Sequence, residues 1–296
     1  SPTAELLASV FLLPIRRSGL KARQWLFIAR LIARYSSTAF FDVLPEEIEP
    51  CLQVMYRWLE MCSWSNEEAG ELLLRMCRNL KSKLGLHSMG LLNALQPAMA
   101  VGRVKCAAVY EICGLAVATL DGSVVSLASA SESLLGLVVR QLSAGAQNPV
   151  AEHVRWLEFV GAFARGFVSD LCCDPAPVRN YFMTQVLPVL EASLSRNDAL
   201  VAVAVISTTQ RLIPLCQADM VPLIRSIARA TCATGSPLFG DAGVLQDLLP
   251  LTAASLFKLR DAFTNGAVLG ALWPTIEDSC LQALRRAPQG DRKSVV

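Results

Sequence analysis

Apolar residues recur at steps of three and four along almost the whole chain, a spacing typical of amphipathic α-helices. The alternation of period two that marks a half-buried strand is nearly absent. Residues 65–85 show the helical pattern clearly, because their apolar positions form one stripe consisting of Leu72, Leu73, Met76, Leu80 and Leu84. Ser65 and Glu68 predict a capping box at the start of this helix, and Gly85 predicts its end.

Turn-forming residues divide the chain into about twelve or thirteen predicted helices with short connections, as antiparallel neighbours require. One long helix is predicted from Asn148 as the cap and Pro149 in the first position. Interruptions are predicted near 14–18, Ser36, 63–65, 85–88, Gly102, 121–123, 145–148, 174–177, 196–198, Gln217, 235–240 and Asn265.

A local pattern also repeats: an apolar residue, a proline, any residue, an apolar residue and then an aliphatic helix. It occurs as "LPVLEASL", "VPLIRSIA", "LPLTAASL" and "WPTIEDSCLQAL", around Pro188, Pro222, Pro250 and Pro274. Proline is tolerated in the first turn of a helix and produces a kink further inside. Helices that restart or kink at nearly regular spacing indicate stacked helical pairs.

The segment "VLPVLEASLSRNDALVAVAVISTTQRLI", residues 186–213, resembles a HEAT repeat. It has a first helix with proline, a tight turn with Asp198 and a second helix rich in small residues. It departs from the repeat at Ala202, where an arginine often stands. The resemblance implies an all-α fold: a right-handed α-solenoid of the HEAT/ARM kind, with about six antiparallel helix pairs and degenerate repeats. We expect one domain over residues 1–287 and a flexible tail over 288–296.

Composition agrees with stacked layers. Hydrophobic residues make up 53% of the chain and charged residues only 18%, against a usual charged share of about 25%. Such helices are covered on two sides, by further layers or by partner subunits. The longest uncharged run, residues 84–102, is too polar for a membrane span of about 20 apolar residues. No membrane association is therefore predicted.

The ten cysteines favour a reducing compartment. They form no C-x-x-C pair, and the chain has only two histidines, so neither a disulfide framework nor a metal cluster is predicted. Most of them stand in apolar helical patterns, where free cysteine behaves as a small hydrophobe. The first residues lack the basic start of a signal peptide. We expect an intracellular protein, with the mitochondrial matrix, the cytoplasm and the nucleus left open.

No catalytic motif is recognisable. His87 and His153 have no partner in the nearby sequence, and neither G-x-x-x-x-G-K-[ST] nor a strand followed by G-x-G-x-x-G is present. We therefore predict no enzymatic activity, no cofactor, no metal and no small-molecule substrate.

The clearest functional signal is the basic stretch "KARQWLFIARLIARY", residues 21–35. On a helix, one face carries Arg23, Phe27, Arg30 and Arg34, while Trp25, Ile28, Leu31, Ile32 and Tyr35 point mostly towards the core. Arg16, Arg17 and Lys21 stand just upstream. This face has three interpretations: a solvated surface with Phe27 covered by a neighbour, a protein interface, or a phosphate backbone with one stacked base.

A second basic group follows two helices later and consists of Arg75, Arg78, Lys81 and Lys83. Alternate helices of a solenoid line the same surface, so the two groups could form one basic groove. Glu67, Glu68 and Glu71, at the start of the same helix, offset that charge.

The favoured hypothesis is a non-enzymatic scaffold subunit of a larger complex, which binds other protein subunits on its helical faces. The alternative is an RNA-binding protein that uses the basic groove. Degenerate helical repeats and an arginine bias resemble helical-repeat subunits of protist mitochondrial mRNA-processing and editing complexes. A fragment of a nuclear transport receptor, also built from HEAT repeats, is a third hypothesis.

Overall fold

A computed structural model describes residues 22–36, 40–43, 45–100, 102–120, 124–144, 148–169, 174–232 and 235–258 of the chain. The described residues are 86% helical and contain no strand. The predicted all-α class is therefore confirmed. The predicted tail over 288–296 lies outside the described residues, and the single domain over 1–287 stays a prediction.

The α-helices are numbered in chain order. They are α1 (Ala22–Tyr35), α2 (Phe40–Val43), α3 (Ile48–Met61), α4 (Glu67–Leu80), α5 (Gly85–Ala100), α6 (Ala107–Ala118), α7 (Val124–Ser143), α8 (Val150–Ser169), α9 (Ala176–Tyr181), α10 (Leu187–Ser193), α11 (Ala199–Cys216), α12 (Val221–Cys232) and α13 (Ala242–Lys258). Short 3₁₀ turns at Pro45–Glu47, Lys81–Leu84, Leu194–Arg196 and Gln217–Met220 continue directly into helices or out of them.

The chain divides into two compact units. The first contains residues 1–134 and 162–175, and the second contains 135–161 and 176–296. The first residues of α8 thus belong to the second unit and its last residues to the first.

In the first unit, α1, α4 and α6 run in the same direction. Arg30 pairs with Glu68 near the start of α4, and Ser36, after the end of α1, accepts a 2.9 Å hydrogen bond from Asn79 near the end of α4.

Contacts between α4 and α6 show that these two helices also run in the same direction. Cys106 Sγ donates a 3.3 Å hydrogen bond to Glu67 at the start of α4, while Arg78 near its end pairs with Glu111. Helix α5 runs the opposite way to α6, because Ser88 bonds Thr119 at 2.9 Å and Met99 accepts from Cys113 at 3.4 Å.

Helix α6 is the centre of the first unit, since every residue from Ala108 to Ala118 is buried. Its approach to the last part of α8 depends on two glycines. A methyl group on Gly114 would overlap the carbonyl of Phe163 and lie 2.8 Å from the backbone nitrogen of Phe167. A methyl group on Gly166 would overlap the carbonyl of Glu111 in the same way. The two backbones therefore touch, which is possible only where both helices lack a Cβ.

The second unit repeats the alternation of helix directions. The first part of α8 runs opposite to the segment 193–196, because His153 bonds Ser193 at 2.9 Å and the Asn148 carbonyl accepts from Arg196 at 3.0 Å. The first part of α8 runs in the same direction as α11. Thr208 donates to the Leu157 carbonyl at 2.9 Å, and Gly161 faces Thr208 and Arg211.

The segment that resembles a HEAT repeat forms a helix, a tight turn and a helix. Asn197 has a left-handed backbone (φ 52°), and the Asp198 carboxylate caps α11 by accepting from the amides of Leu200 and Val201. Upstream, Pro188 has no N–H to offer the preceding turn. A π-turn at Phe182–Val186 accommodates this, and the Leu187 amide bonds the Phe182 carbonyl.

Several local predictions were wrong. Asn66 rather than Ser65 caps α4, by accepting from the amide of Ala69 at 3.0 Å. Gly85 has right-handed helical angles and begins α5 instead of ending α4. Asn148 does not directly precede α8, which begins at Val150, and its side-chain NH2 group donates to the Gln141 carbonyl at 2.8 Å.

The repeated prolines divide into two kinds. Pro188 and Pro222 stand in the first turns of α10 and α12, and Pro250 lies inside α13; the sequence analysis allowed for both positions. Pro274 lies outside the described residues.

Among the described residues, one helical run, Ala199–Cys232, is long and apolar enough to cross a membrane by length and composition alone. Its most apolar window is 61% buried inside the protein, as in the core helix of a soluble protein. The run is also interrupted, because α11 ends at Cys216 and Gln217 has a positive φ of 51°.

We expect Gly114→Ala to lower the free energy of unfolding by about 1–3 kcal/mol or more, because the new methyl group meets backbone that has nowhere to move. Gly90→Ala is the matched control. It lies in α5 with nothing within 4 Å of the new methyl group, so it should raise stability by up to about 1 kcal/mol. Chemical denaturation of the two variants measures the difference. Equal stabilities would contradict the close contact of α6 with α8.

Candidate interaction surface

The outward face of α1 is arranged as the sequence predicts. Trp25, Ile28 and Ile32 are buried, whereas Phe27 is 64% exposed and Arg30 and Arg34 are exposed. Phe27 is therefore not covered by a neighbouring helix, contrary to one of the three interpretations of this face.

The charge of this face is partly compensated. The Arg30 Nε donates to Glu68 Oε1 at 2.8 Å, and both side chains are about half exposed. Glu68, predicted to complete a capping box, instead links α4 to α1.

The second basic group is compensated in the same way. Arg78 pairs with Glu111, and Lys83 pairs with Asp42. Arg75 is exposed on α4.

The remaining predicted site residues are Arg16, Arg17 and Lys21, which lie outside the described residues, and Arg23 and Lys81, whose side chains the structure does not describe. Within the described part of the chain, three cations of the predicted groove are thus used to join helices or turns to each other.

Glu111 is the most unusual charged residue in the described part of the chain. Its side chain is 1% exposed, in the middle of the otherwise apolar α6. Arg78 from α4 pairs with one carboxylate oxygen, and Arg165 from α8 pairs with the other. A buried charge is tolerated only when it is paired in this way. Sequence analysis missed Arg165, because it is 54 positions from Glu111 in the chain.

An exposed face without charge lies on α5. Its exposed positions follow helical spacing and are Leu86, Met89, Gly90, Asn93 and Pro97. The Leu86 side chain is 84% exposed and Met89 is 46% exposed. The signal was present in the sequence, since residues 84–102 carry no Asp, Glu, Lys or Arg, but it was considered only as a membrane segment.

Both histidines have partners that their sequence neighbours do not predict. His87 Nδ1 lies 2.8 Å from Glu49 Oε2, and Gln53 donates to the other oxygen of Glu49 at 2.9 Å. A carboxylate that orients a histidine is one arrangement found in acid–base sites. Here the pair joins the first turns of α3 and α5.

His153 is buried and acts as a hydrogen-bond donor. The Ser193 hydroxyl gives its proton to the Val189 carbonyl, so the 2.9 Å contact with His153 Nε2 requires the imidazole to donate. Burial, and then the charge of Arg196, lowers the His153 pKa. The imidazole is therefore neutral and does not activate Ser193 as a nucleophile.

Four of the described cysteines are unsuited to nucleophilic chemistry. Burial raises the pKa of Cys51, Cys113 and Cys216 to about 12 and that of Cys106 to about 11. A thiol must ionise to attack, so these groups stay inert near neutral pH. Among the described residues there is also no group of three or more His, Cys, Asp or Glu side chains that could hold a metal ion.

Comparison with protein-family models and with curated proteins gives no match for this chain.

We expect Glu111→Leu to lower the free energy of unfolding by about 1–3 kcal/mol, because it removes the shared partner of two arginines. The arginines are half exposed, so water compensates part of the loss. Glu68→Gln, which removes an exposed pair, should cost at most about 1 kcal/mol. Urea denaturation measures the free energy of unfolding of both variants. If Glu111→Leu lost no more stability than Glu68→Gln, a structural role of the triad formed by Arg78, Glu111 and Arg165 would be contradicted.

Alkylation kinetics should separate the cysteines by burial. At pH 8 we expect iodoacetamide to modify Cys62, which is half-buried, well before Cys51, Cys77, Cys106, Cys113, Cys216 and Cys232, which are buried. Peptide mass spectrometry over time measures each rate, and the protein in denaturant provides the control in which the rates converge. Fast modification of Cys51 or Cys113 in the folded protein would contradict the raised pKa.

Proposed function

We propose that this chain is a non-enzymatic scaffold subunit of a larger multiprotein complex and that it binds partner proteins on exposed helical faces. The observation that carries the proposal is the uncharged face of α5. Leu86 and Met89 place large apolar side chains in solvent, with Asn93 and Pro97 continuing the face for two further turns. Large exposed apolar patches mark interaction sites.

The absence of Asp, Glu, Lys and Arg from α5 indicates the kind of partner. A nucleic acid needs cations to bind its phosphates, and this face supplies none. A protein helix or loop with an apolar surface requires no such charges and would bury Leu86 and Met89 away from water. We therefore propose a protein as the occupant of this face.

We also propose that the helices are stacked as an α-solenoid of the HEAT/ARM kind. In the first unit, α1, α4 and α6 run in one direction, and α5 runs opposite to its neighbour α6. This order supports the proposal, because antiparallel pairs that stack in series bring every second helix into parallel contact. Such folds expose long helical faces and mostly serve as scaffolds.

RNA binding by the basic groove is the alternative proposal. The exposed Phe27, which lies on the same face of α1 as the exposed Arg34, favours it, since an exposed aromatic ring on a positively charged surface can stack a base. The pairing of Arg30 and Lys83 with one acid each weighs against it, because a cation that is neutralised in this way attracts phosphate less strongly.

The experiment is affinity purification of the tagged protein from its source cells, with nuclease, followed by quantitative mass spectrometry. We expect the partners recovered with the wild type to be lost when Leu86→Asn is combined with Met89→Gln. Both residues are exposed, so the substitutions should change the stability of the isolated chain by at most about 0.5 kcal/mol. Direct binding of the purified wild type and double variant to the recovered partner then measures the loss.

Leu200→Asn is the matched control, because Leu200 is 65% exposed on α11; it should keep the partners. Equal recovery by the double variant would contradict docking on α5. Loss of the partners of the wild type on nuclease treatment would favour RNA binding instead. That alternative also requires RNA affinity that falls with salt and is lost on combining Arg23→Glu with Arg30→Glu.

A further inference from the structure

Arg78 and Arg165 reach the same buried carboxylate from two different helices. The two guanidiniums are about half exposed, at 47% and 50%, whereas the Glu111 side chain between them is 1% exposed. Each guanidinium pairs with a different oxygen of the carboxylate. Two positive groups are therefore held close together at the surface by an acid that solvent does not reach.

The triad has an excess of positive charge and of hydrogen-bond donors. Two arginines and one carboxylate give a net charge of +1. Each guanidinium has five N–H groups, and a carboxylate offers about four acceptor positions. More than half of the N–H groups are thus left over, and about half of each arginine side chain is exposed to solvent. Among the described residues, Glu111 is the acid that pairs with either arginine.

The backbone positions that carry the two arginines are fixed by close packing. Arg165 precedes Gly166, whose backbone touches the carbonyl of Glu111. Arg78 follows Cys77, which is fully buried between α4 and the rest of the first unit. Flexible side chains lose entropy when they bind a ligand, and groups already held in place lose less.

We propose that Arg78 and Arg165 form a binding site for a phosphate group, which both guanidiniums contact from the solvent side. Arginine is suited to phosphate because its planar fork donates two parallel hydrogen bonds. A phosphate has more acceptor oxygens than a carboxylate, so it can accept from two guanidiniums at once. Arg75, exposed one turn earlier in α4, adds a further positive charge. The site does not depend on the docking face of α5.

The test is isothermal titration calorimetry of the purified full chain with inorganic phosphate, at constant ionic strength maintained with chloride. We expect saturable binding to the wild type and a loss of affinity of about tenfold or more for Arg165→Gln. Arg57→Gln is the matched control, since Arg57 is exposed on α3 in the same unit, and it should leave the affinity unchanged.

Two measurements keep the test decisive if Arg165→Gln fails to fold. Arg165→Lys keeps the charge but lacks the fork, and it should bind phosphate more weakly than the wild type. In the unmodified protein, phosphate should slow the reaction of phenylglyoxal with Arg78 and Arg165 but not with Arg57, as peptide mass spectrometry can show.

A second titration, with a 20-nucleotide single-stranded RNA, distinguishes the source of the phosphate. If the RNA binds and its affinity is lower for Arg165→Gln, the site is assigned to a nucleic-acid backbone. If inorganic phosphate binds and the RNA does not, the site is assigned to a small phosphorylated ligand. No saturable binding of either probe would overturn the proposal. Equal affinities of the wild type, Arg165→Gln and Arg57→Gln would also overturn it.

Discussion

The contact between α6 and the last part of α8 is the constraint on which the first unit depends. Gly114 and Gly166 each lie against the backbone of the opposite helix, so the two helices are closer than side chains would allow. This closeness brings Arg165 to Glu111 and leaves the carboxylate almost without exposure. A charge in such a position costs several kcal/mol unless it is paired. The helix crossing therefore requires the two arginines, and the arginines in turn connect α8 and α4 to the central helix.

Ion pairs also explain why the two basic groups of the sequence do not form a continuous basic surface. Arg30 with Glu68 and Arg78 with Glu111 join neighbouring helices that run in the same direction, and Lys83 with Asp42 joins two connecting segments. The exposed pairs Arg30–Glu68 and Lys83–Asp42 contribute little stability each, but each of them neutralises one cation of the surface. Arg78 differs from them, because it shares the buried Glu111 with Arg165. In the described part of the chain, α5 presents an exposed face that carries no charge. Such a face is the reason for proposing a protein partner and not a polyanion.

The sequence predicted the helical class because its periodicity is local, and it predicted the buried and exposed faces of α1 for the same reason. It also located the turn at Asp198, whose side chain caps the helix that follows it. The start of α4 was harder to predict, because Ser65 and Asn66 are adjacent and either side chain can cap a helix. Which of the two caps α4 is decided only by their backbone geometry. Ion pairs such as Arg78, Glu111 and Arg165 were not predictable, because their members come from three helices. The glycine contacts were missed for a similar reason, since a glycine inside an apolar helix has no distinctive local pattern.

Burial accounts for the chemistry of the histidines and cysteines as well as for the fold. His153 lies where its charged form would lose hydration next to Arg196, so it stays neutral and donates to Ser193. Cys51, Cys113 and Cys216 lie where a thiolate would lose hydration, so they stay protonated. The packing that buries these side chains therefore also deactivates them as bases or nucleophiles. Solvent still reaches the guanidiniums of Arg78 and Arg165 around Glu111. They donate hydrogen bonds and attract anions, and these are the properties on which the proposed phosphate site depends.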